Sequence, residues 1–503
     1  MELEIPSFPT IFIALTFIFL LLKFMRLRRT KLPPGPWKLP LIGSLHHLAV
    51  AGLEPHHVLR NLARKHGPIM HLQLGEISAV IISAPRLAKE VLKTHDLAFA
   101  SRPKLLSPEI LTYNRVDIAF APYGGYWRQM RKICTLELLT SKNVRSFSSI
   151  HEEEALNLIE SIQSSLSSPI DLTQKIFTYT NNVVSRAAFG NRSKNQEEVI
   201  PLIKEVTATA GGFDVSDLYP SIKILQVISG LKSKLMKLRD KSDHVLNDII
   251  DEHKEKLANK EKFNGQSGEE DLVDVLLRHK ETSDLEFPIT INSIKAILLE
   301  MFSAGTDTSA TTVEYAMTEM MRHARVLEKV QAELRQVLRG KERICTADLE
   351  GLNYLKMVIK ETLRLHPPLP LLLPRLCREH TEIDGYDIPV NTRVLLNAFA
   401  INRDPEYWED AESFKPERFA DSVIEFIGPN FEFIPFGGGR RICPGISFGL
   451  ASVEFLLAQL LYHFNWKLPN GMKPEDLDMS EKLGTVVQKK NKLYLVPTHT
   501  PFD

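Results

Sequence analysis

The apolar positions of this chain follow two unlike patterns. At the N-terminus, Ile5 to Leu22 is almost wholly apolar, interrupted only by Pro6, Ser7, Pro9, Thr10 and Thr16, and Lys23, Arg26, Arg28, Arg29 and Lys31 follow at once. Such a run is about the shortest that crosses a bilayer as a helix. Glu2 and Glu4 lead and the basic residues trail, the reverse of a cleaved leader, so the stretch reads as an uncleaved anchor whose basic side stays cytoplasmic. Leu32-Pro33-Pro34-Gly35-Pro36-Trp37 is then a semi-rigid spacer. The expected division is 1–31 for the anchor and its basic flank, 32–40 for a proline-rich hinge, and 41–503 for one globular domain.

Within that domain the pattern changes from a continuous run to periods. Pro55–His66 repeats as a helix, His71–Leu74 and Ala79–Ile82 alternate as short strands around Gly75-Glu76, and a second helix covers Pro85–Thr94. Ser101–Ile118, broken by Pro103 and Pro108, reads as loop with short helical pieces. A helix starts near Trp127, Ser148–Leu257 is helix-rich with a break at Gly211–Pro220, and Lys260–Asp271 is a polar loop. The longest helical period runs from about Thr290 to Arg322. Pro367–Leu373 reads as extended, Ile446–Phe464 as helix, and the chain closes in a β stretch ending near Pro497. The fold class is therefore mainly α with small β-sheets.

Composition removes some function classes. Lysine plus arginine equals aspartate plus glutamate at 62 each, and this zero balance gives no footprint for nucleic acid. Cys134, Cys345, Cys377 and Cys443 are scattered without framework spacing, which suits a reducing compartment. No Gly-x-Gly-x-x-Gly follows a strand, so the chain binds no nicotinamide donor by the usual fold.

The chemistry concentrates in Pro435-Phe436-Gly437-Gly438-Gly439-Arg440-Arg441-Ile442-Cys443-Pro444-Gly445. Glycines there let the backbone approach something bulky, and a cysteine just before a helix meets unpaired N–H groups that lower its proton affinity. A lone cysteine in apolar surroundings is also a small hydrophobe. Zinc wants further ligands at short spacing, and none lies near Cys443. On the long helix, Ile297, Met301, Ala304, Gly305, Thr308 and Thr312 share one stripe, small and polar in its middle. Glycine there costs about 1 kcal/mol against alanine, which points to something occupying the space. Asp307 and Thr308 are suited to a proton relay or to local bonds with the helix backbone.

The match to Phe-x-x-Gly-x-Arg-x-Cys-x-Gly at Phe436, Gly439, Arg441, Cys443 and Gly445 resembles the haem loop of the cytochrome P-450 family. The resemblance extends to Ala304-Gly305-Thr306-Asp307-Thr308, to Glu361-Thr362-Leu363-Arg364, to Pro416-Glu417-Arg418 and to Trp127-x-x-x-Arg131, and runs from the anchor to the last strand. It implies a single haem-containing domain behind a transmembrane helix, and haem b with Cys443 as its iron ligand. Phe436 would pack beside the sulfur, and Arg441, Trp127, Arg131 and Arg375 would pair with propionates. Glu361, Arg364 and Arg418 would form a structural network. Gly305 would leave room for dioxygen, Thr308 would hydrogen-bond oxygen at the iron, and Asp307 would deliver protons. Ile297, Met301, Ala304, Leu371, Leu372 and Val486 would line the substrate cavity, the last within a cavity-facing turn at 483–487.

In activity the chain looks most like plant microsomal enzymes that oxidise terpenoids. The implied reaction inserts one oxygen atom of O2 into a hydrophobic small molecule, with electrons from an NADPH-cytochrome P-450 reductase. The implied location is the endoplasmic reticulum membrane, single-pass, with the domain on the cytosolic side. Outward charges at Arg128 and Lys132 would meet the reductase or simply be solvated. Phe213, Leu218, Tyr219 and Ile222 would form an apolar lip near the membrane or face the core. An alkaloid substrate, a haem-thiolate isomerase or lyase without external electrons, and a haem sensor without turnover remain as alternatives.

Overall fold

The computed structural model describes residues 31–49, 52–192, 196–209, 214–262, 270–282, 285–482 and 484–499. The expected membrane span and its basic flank up to residue 30, and Phe213 of the expected lip, lie outside the described residues.

The first layer is a four-stranded sheet preceded by helix α1 (Pro55–His66). Strands β1 (Ile69–Leu74) and β2 (Ile77–Ile82) pair antiparallel around Gly75-Glu76, each longer than the alternation indicates. β2 pairs in parallel with β4 (Arg393–Leu396), which pairs antiparallel with the short β3 (Arg375–Leu376), giving the order β1–β2–β4–β3. All four residues of β4 are buried. Sheet pairing thus carries Arg375 from an apolar segment into the interior.

The second layer is helical. Helix α2 (Gly125–Cys134) leads to α3 (Leu172–Phe189), α4 (Gln196–Thr209) and the 32-residue α5 (Ile291–Arg322). At 1.5 Å per residue the 32-residue α5 is about 48 Å long. It starts at Thr290, whose side chain accepts the Ser293 N–H at 3.1 Å while Ser293 answers to the Thr290 N–H. That reciprocal cap fixes where the helix begins. Most of its length is buried, because α3, α4, α6 (Asn353–Leu365) and α7 (Ile446–His463) pack around it.

Helix α7 is apolar all round and long enough to cross a bilayer, yet it is two-thirds buried inside the protein, so its hydrophobicity serves the core. The antiparallel pair β5 (Glu481–Lys482) and β6 (Gln488–Lys489) brings the turn between them back against α5. Of that expected cavity-facing turn, residues 484–487 are described.

One expectation changes. Pro367–Leu373 is not an extended strand: the Leu372 N–H donates to the Leu369 carbonyl at 3.0 Å, and Leu372 sits at φ 51°. Its prolines suppress the helix, and the segment closes into a turn.

Candidate active site

The loop before α7 is built by local necessity. The Cys443 N–H donates to the Phe436 carbonyl at 3.1 Å and the Gly437 N–H to Ile434 at 3.0 Å, which closes the loop on itself. Gly439 adopts φ 67°, and a Cβ there would stand 2.3 Å from the Leu92 carbonyl oxygen, so no other residue fits. Phe436 packs edge-on against Phe426, with ring centres 5.3 Å apart.

Cys443 is half-buried and opens onto a cavity that it shares with Ala304, Thr308 and Phe436. Burial raises its thiol above the ordinary range, and the Gly445 N–H and Arg131 offset this only in part. This corrects the expectation of a lowered proton affinity: desolvation outweighs the helix terminus. A thiolate at this position therefore needs a metal cation to complete it.

Four arginines border the same cavity. Arg441 donates to the carbonyls of Ala100 (2.7 Å), Ile118 (3.1 Å) and Ala121 (2.5 Å), and lies 4.2 Å from the centre of the Trp127 ring. Arg131 reaches the Ile442 carbonyl at 2.6 Å, and Arg375 that of Gly438 at 2.8 Å. Arg102 holds Ala119 and Leu373 at 2.9 and 2.7 Å. Burial and the crowding of like charge push Arg441 down to about 9, and burial pushes Arg375 down to about 10. Arg102 falls well below its ordinary value for the same reasons. A buried cationic cluster of this kind is short of anions and fits a ligand carrying carboxylates. Trp127 gives its own N–H to the Ile118 carbonyl at 2.9 Å, so in this structure it braces the loop that carries Ile118.

Across the cavity from Cys443 stands α5, with Ala304 and Thr308 on the wall. Thr308 donates its hydroxyl to the Ala304 carbonyl at 2.7 Å. Asp307, fully buried, points elsewhere: its carboxylate accepts from Thr207 of α4 at 2.7 Å and from the Gln488 amide of β6. Burial lifts it to about 6, while Thr207, Lys204 and Gln488 pull down. Gly305 opens no hole over the cavity, since a Cβ would meet Val184 Cγ2 of α3 at 2.8 Å. Its missing side chain lets α3 and α5 pack closely.

A second, apolar cavity adjoins the first, and the two share Ala119, Glu300, Ala304, Thr308, Leu369 and Leu373. Val486 lines it, and Leu372 lines the first. The structure does not bring Ile297, Met301 or Leu371 to either wall. Ile297 and Met301 lie in the helical core, and Leu371 packs under the sheet beside the Leu72 cluster. Ile297 stands two turns, about 10 Å, along the axis from Ala304, and Met301 is turned to the side; sharing a stripe does not reach that far.

Away from the cavity, Glu361 meets both arginines of its expected set. Arg364 grips it at 2.7 and 2.8 Å and Arg418 at 3.0 Å, with Glu361 and Arg364 fully buried. Arg364 also reaches the Ala411 and Asn402 carbonyls, tying α6 to the 402–418 segment.

Sequence reasoning missed Arg102, Glu300, Thr207 and Gln488. An arginine inside the otherwise apolar Phe99-Ala100-Ser101-Arg102-Pro103 was a usable signal, as was a glutamate one turn before Ala304. Nothing local marks Thr207 or Gln488, which reach Asp307 only through the packing of α4 and the β5–β6 pair.

A family model for cytochrome P450 matches residues 33–496. Premnaspirodiene oxygenase of Hyoscyamus muticus is 59% identical over 494 residues, covering 98% of each chain. The 5-epiaristolochene 1,3-dihydroxylase of Nicotiana tabacum is 55% identical over 496 residues, again covering 98% of each. Among solved structures, a zebrafish cytochrome P450 with progesterone has a TM-score of 0.76 at 27% identity, covering 89% of this chain and 100% of that one.

Proposed function

The chain belongs to the cytochrome P450 family of haem-thiolate monooxygenases, and from that premise we propose that it oxidises a sesquiterpene, with Cys443 as the iron ligand. The observation that carries the site is the placement of Cys443 opposite Ala304 and Thr308 in one cavity bordered by buried arginines. The substrate class rests on the relatives' names and on the apolar walls of the adjoining cavity.

The residues divide the work by chemistry. Arg102, Arg131, Arg375 and Arg441 hold the propionates as charge-assisted partners, and Phe436 shields the sulfur. Bound haem supplies electron-rich iron that activates O2, so that one oxygen atom enters a C–H bond of the substrate and the other leaves as water. Thr308, whose hydroxyl is turned to the Ala304 carbonyl, swings toward the cavity to hold a proton there. Asp307 feeds protons from the α4 side by leaving Thr207 and Gln488. Glu361, Arg364 and Arg418 hold the frame.

Two electrons per turnover come from NADPH through a membrane-bound reductase, received at the face where Arg128, Lys132 and Arg440 are exposed. Residues 1–31 anchor the protein in the endoplasmic reticulum membrane with 41–503 on the cytosolic side, and 32–40 act as a hinge. Exposed Trp37, Leu41, Ile224, Val227 and Ile228 support a domain that rests on lipid.

The test is spectroscopic and catalytic. The reduced protein with carbon monoxide is expected to show the red-shifted Soret band of thiolate ligation, absent in Cys443→Ala. With a plant NADPH reductase, premnaspirodiene or 5-epiaristolochene is expected to yield an oxygenated product; NADPH consumption with no such product would overturn the substrate class.

A further inference from the structure

Helix α1 begins Pro55-His56-His57, and both histidines turn Nε2 on one atom of a distant element: Glu481 Oε2, in β5, lies 3.0 Å from His56 and 3.1 Å from His57. The two rings are 4.3 Å apart, and Phe399 packs edge-on against each. The Asn397 amide holds the His56 carbonyl at 3.0 Å, so neighbours other than the carboxylate fix these rings in place. His57 hydrogen-bonds Glu481, but His56 does not. His56 is 2% exposed and its Nε2 has no hydrogen-bond partner, because the oxygen 3.0 Å away lies off the line of the ring N–H. A buried ring nitrogen in that state is costly. The other such cluster among the described residues, His253 with Asp271 and Asp274, has no orphan of this kind: the His253 nitrogens engage the Ile249 carbonyl at 2.7 Å and Asp271 at 2.8 Å.

Three ligand atoms that converge this closely suit a small divalent cation. Around tetrahedral zinc, bonds of about 2.0–2.1 Å put neighbouring ligand atoms roughly 3.3 Å apart. The two spacings to Glu481 fall close to that, and all three atoms lie within 4.8 Å of one another. Imidazole donors favour zinc over magnesium or calcium, which take oxygen. His57 and Glu481 also line a surface pocket that shares no residue with either cavity of the active site, which gives an ion a route from solvent. Arg60 and Arg403 border that pocket, but Glu412 pairs with both. We infer that His56, His57 and Glu481 bind one zinc ion, with water in the fourth position. The ion takes the orphan nitrogen of His56 as a ligand and fastens the head of α1 to β5. Its role is to pin the β5–β6 pair, which carries Gln488 to Asp307.

The test dialyses the full-length, haem-loaded protein without an affinity tag against micromolar zinc chloride, and counts zinc and iron by emission spectrometry. Wild type is expected to hold one zinc per iron, and no magnesium in a parallel dialysis. His57→Ala is expected to weaken zinc by more than about tenfold, the least that loss of even an outer partner of a metal costs, with the carbon monoxide band unchanged. If that variant takes up no haem, Glu481→Gln takes its place, since it keeps the shape and removes the charge. Zinc is also expected to slow amide hydrogen exchange in β6 of wild type and not of the variant. Wild type that holds no zinc, zinc held equally by wild type and His57→Ala, or zinc lost in Asp271→Asn instead would overturn the inference. None of these outcomes touches the carbon monoxide band that tests Cys443.

Discussion

Thr308 and Asp307 are adjacent in sequence but face different partners, the first the cavity and the second α4 and β6. Thr308→Ala keeps the cavity shape while removing the hydroxyl that bonds the Ala304 carbonyl on that wall. The expected result is hydrogen peroxide released per NADPH at several times the wild-type yield, measured by a peroxidase-coupled assay. Asp307 titrates near 6, above its unfolded value, because burial disfavours its charge. The stability it contributes is therefore complete at acid pH and lost as the pH rises through about 6. Asp307→Asn is expected to flatten that part of a denaturation-against-pH curve, and to remove an inflection near pH 6 from the coupling of NADPH to product.

At the scale of elements, the α3–α5 contact turns on the absent side chain of Gly305. Gly305→Ala drives a methyl to 2.8 Å from Val184, and overpacking of this kind costs about 1–3 kcal/mol. Raised helix propensity returns at most about 1 kcal/mol. Calorimetry is expected to show a lower Tm for Gly305→Ala and recovery in the Gly305→Ala, Val184→Ala double variant. No recovery would mean that Gly305 serves the cavity rather than the packing. The β5–β6 pair acts likewise across elements, since it sets both Val486 on the cavity wall and Gln488 on Asp307.

For the whole molecule, the fully buried Glu361–Arg364 pair is where the 402–418 segment is fastened to the helices. Glu361→Gln strands two arginines, Arg364 and Arg418, near one neutral amide, and breaking such a set costs about 3–5 kcal/mol. Little haem-loaded protein is expected, read as loss of the carbon monoxide difference band at constant expression. Truncation of residues 1–31 is expected to leave a haem-loaded domain that still sediments partly with liposomes, through the exposed apolar residues around Ile228 and Trp37.

The sequence alone determined the class of the fold, the long helix and the cysteine loop, because each follows from local spacing: a period, and glycines where a Cβ cannot stand. The family resemblance, not the spacing, named Glu361, Arg364 and Arg418, and the structure brings the three together. Tertiary structure decided which face of α5 sees the cavity, so Glu300 lines it and Ile297 does not. It turned Asp307 toward Thr207 and Gln488, gave Gly305 a neighbour in Val184, and gathered Arg102 with three other arginines. These are long-range juxtapositions: they depend on how whole elements pack, and a short window of residues carries no record of what will lie across from it.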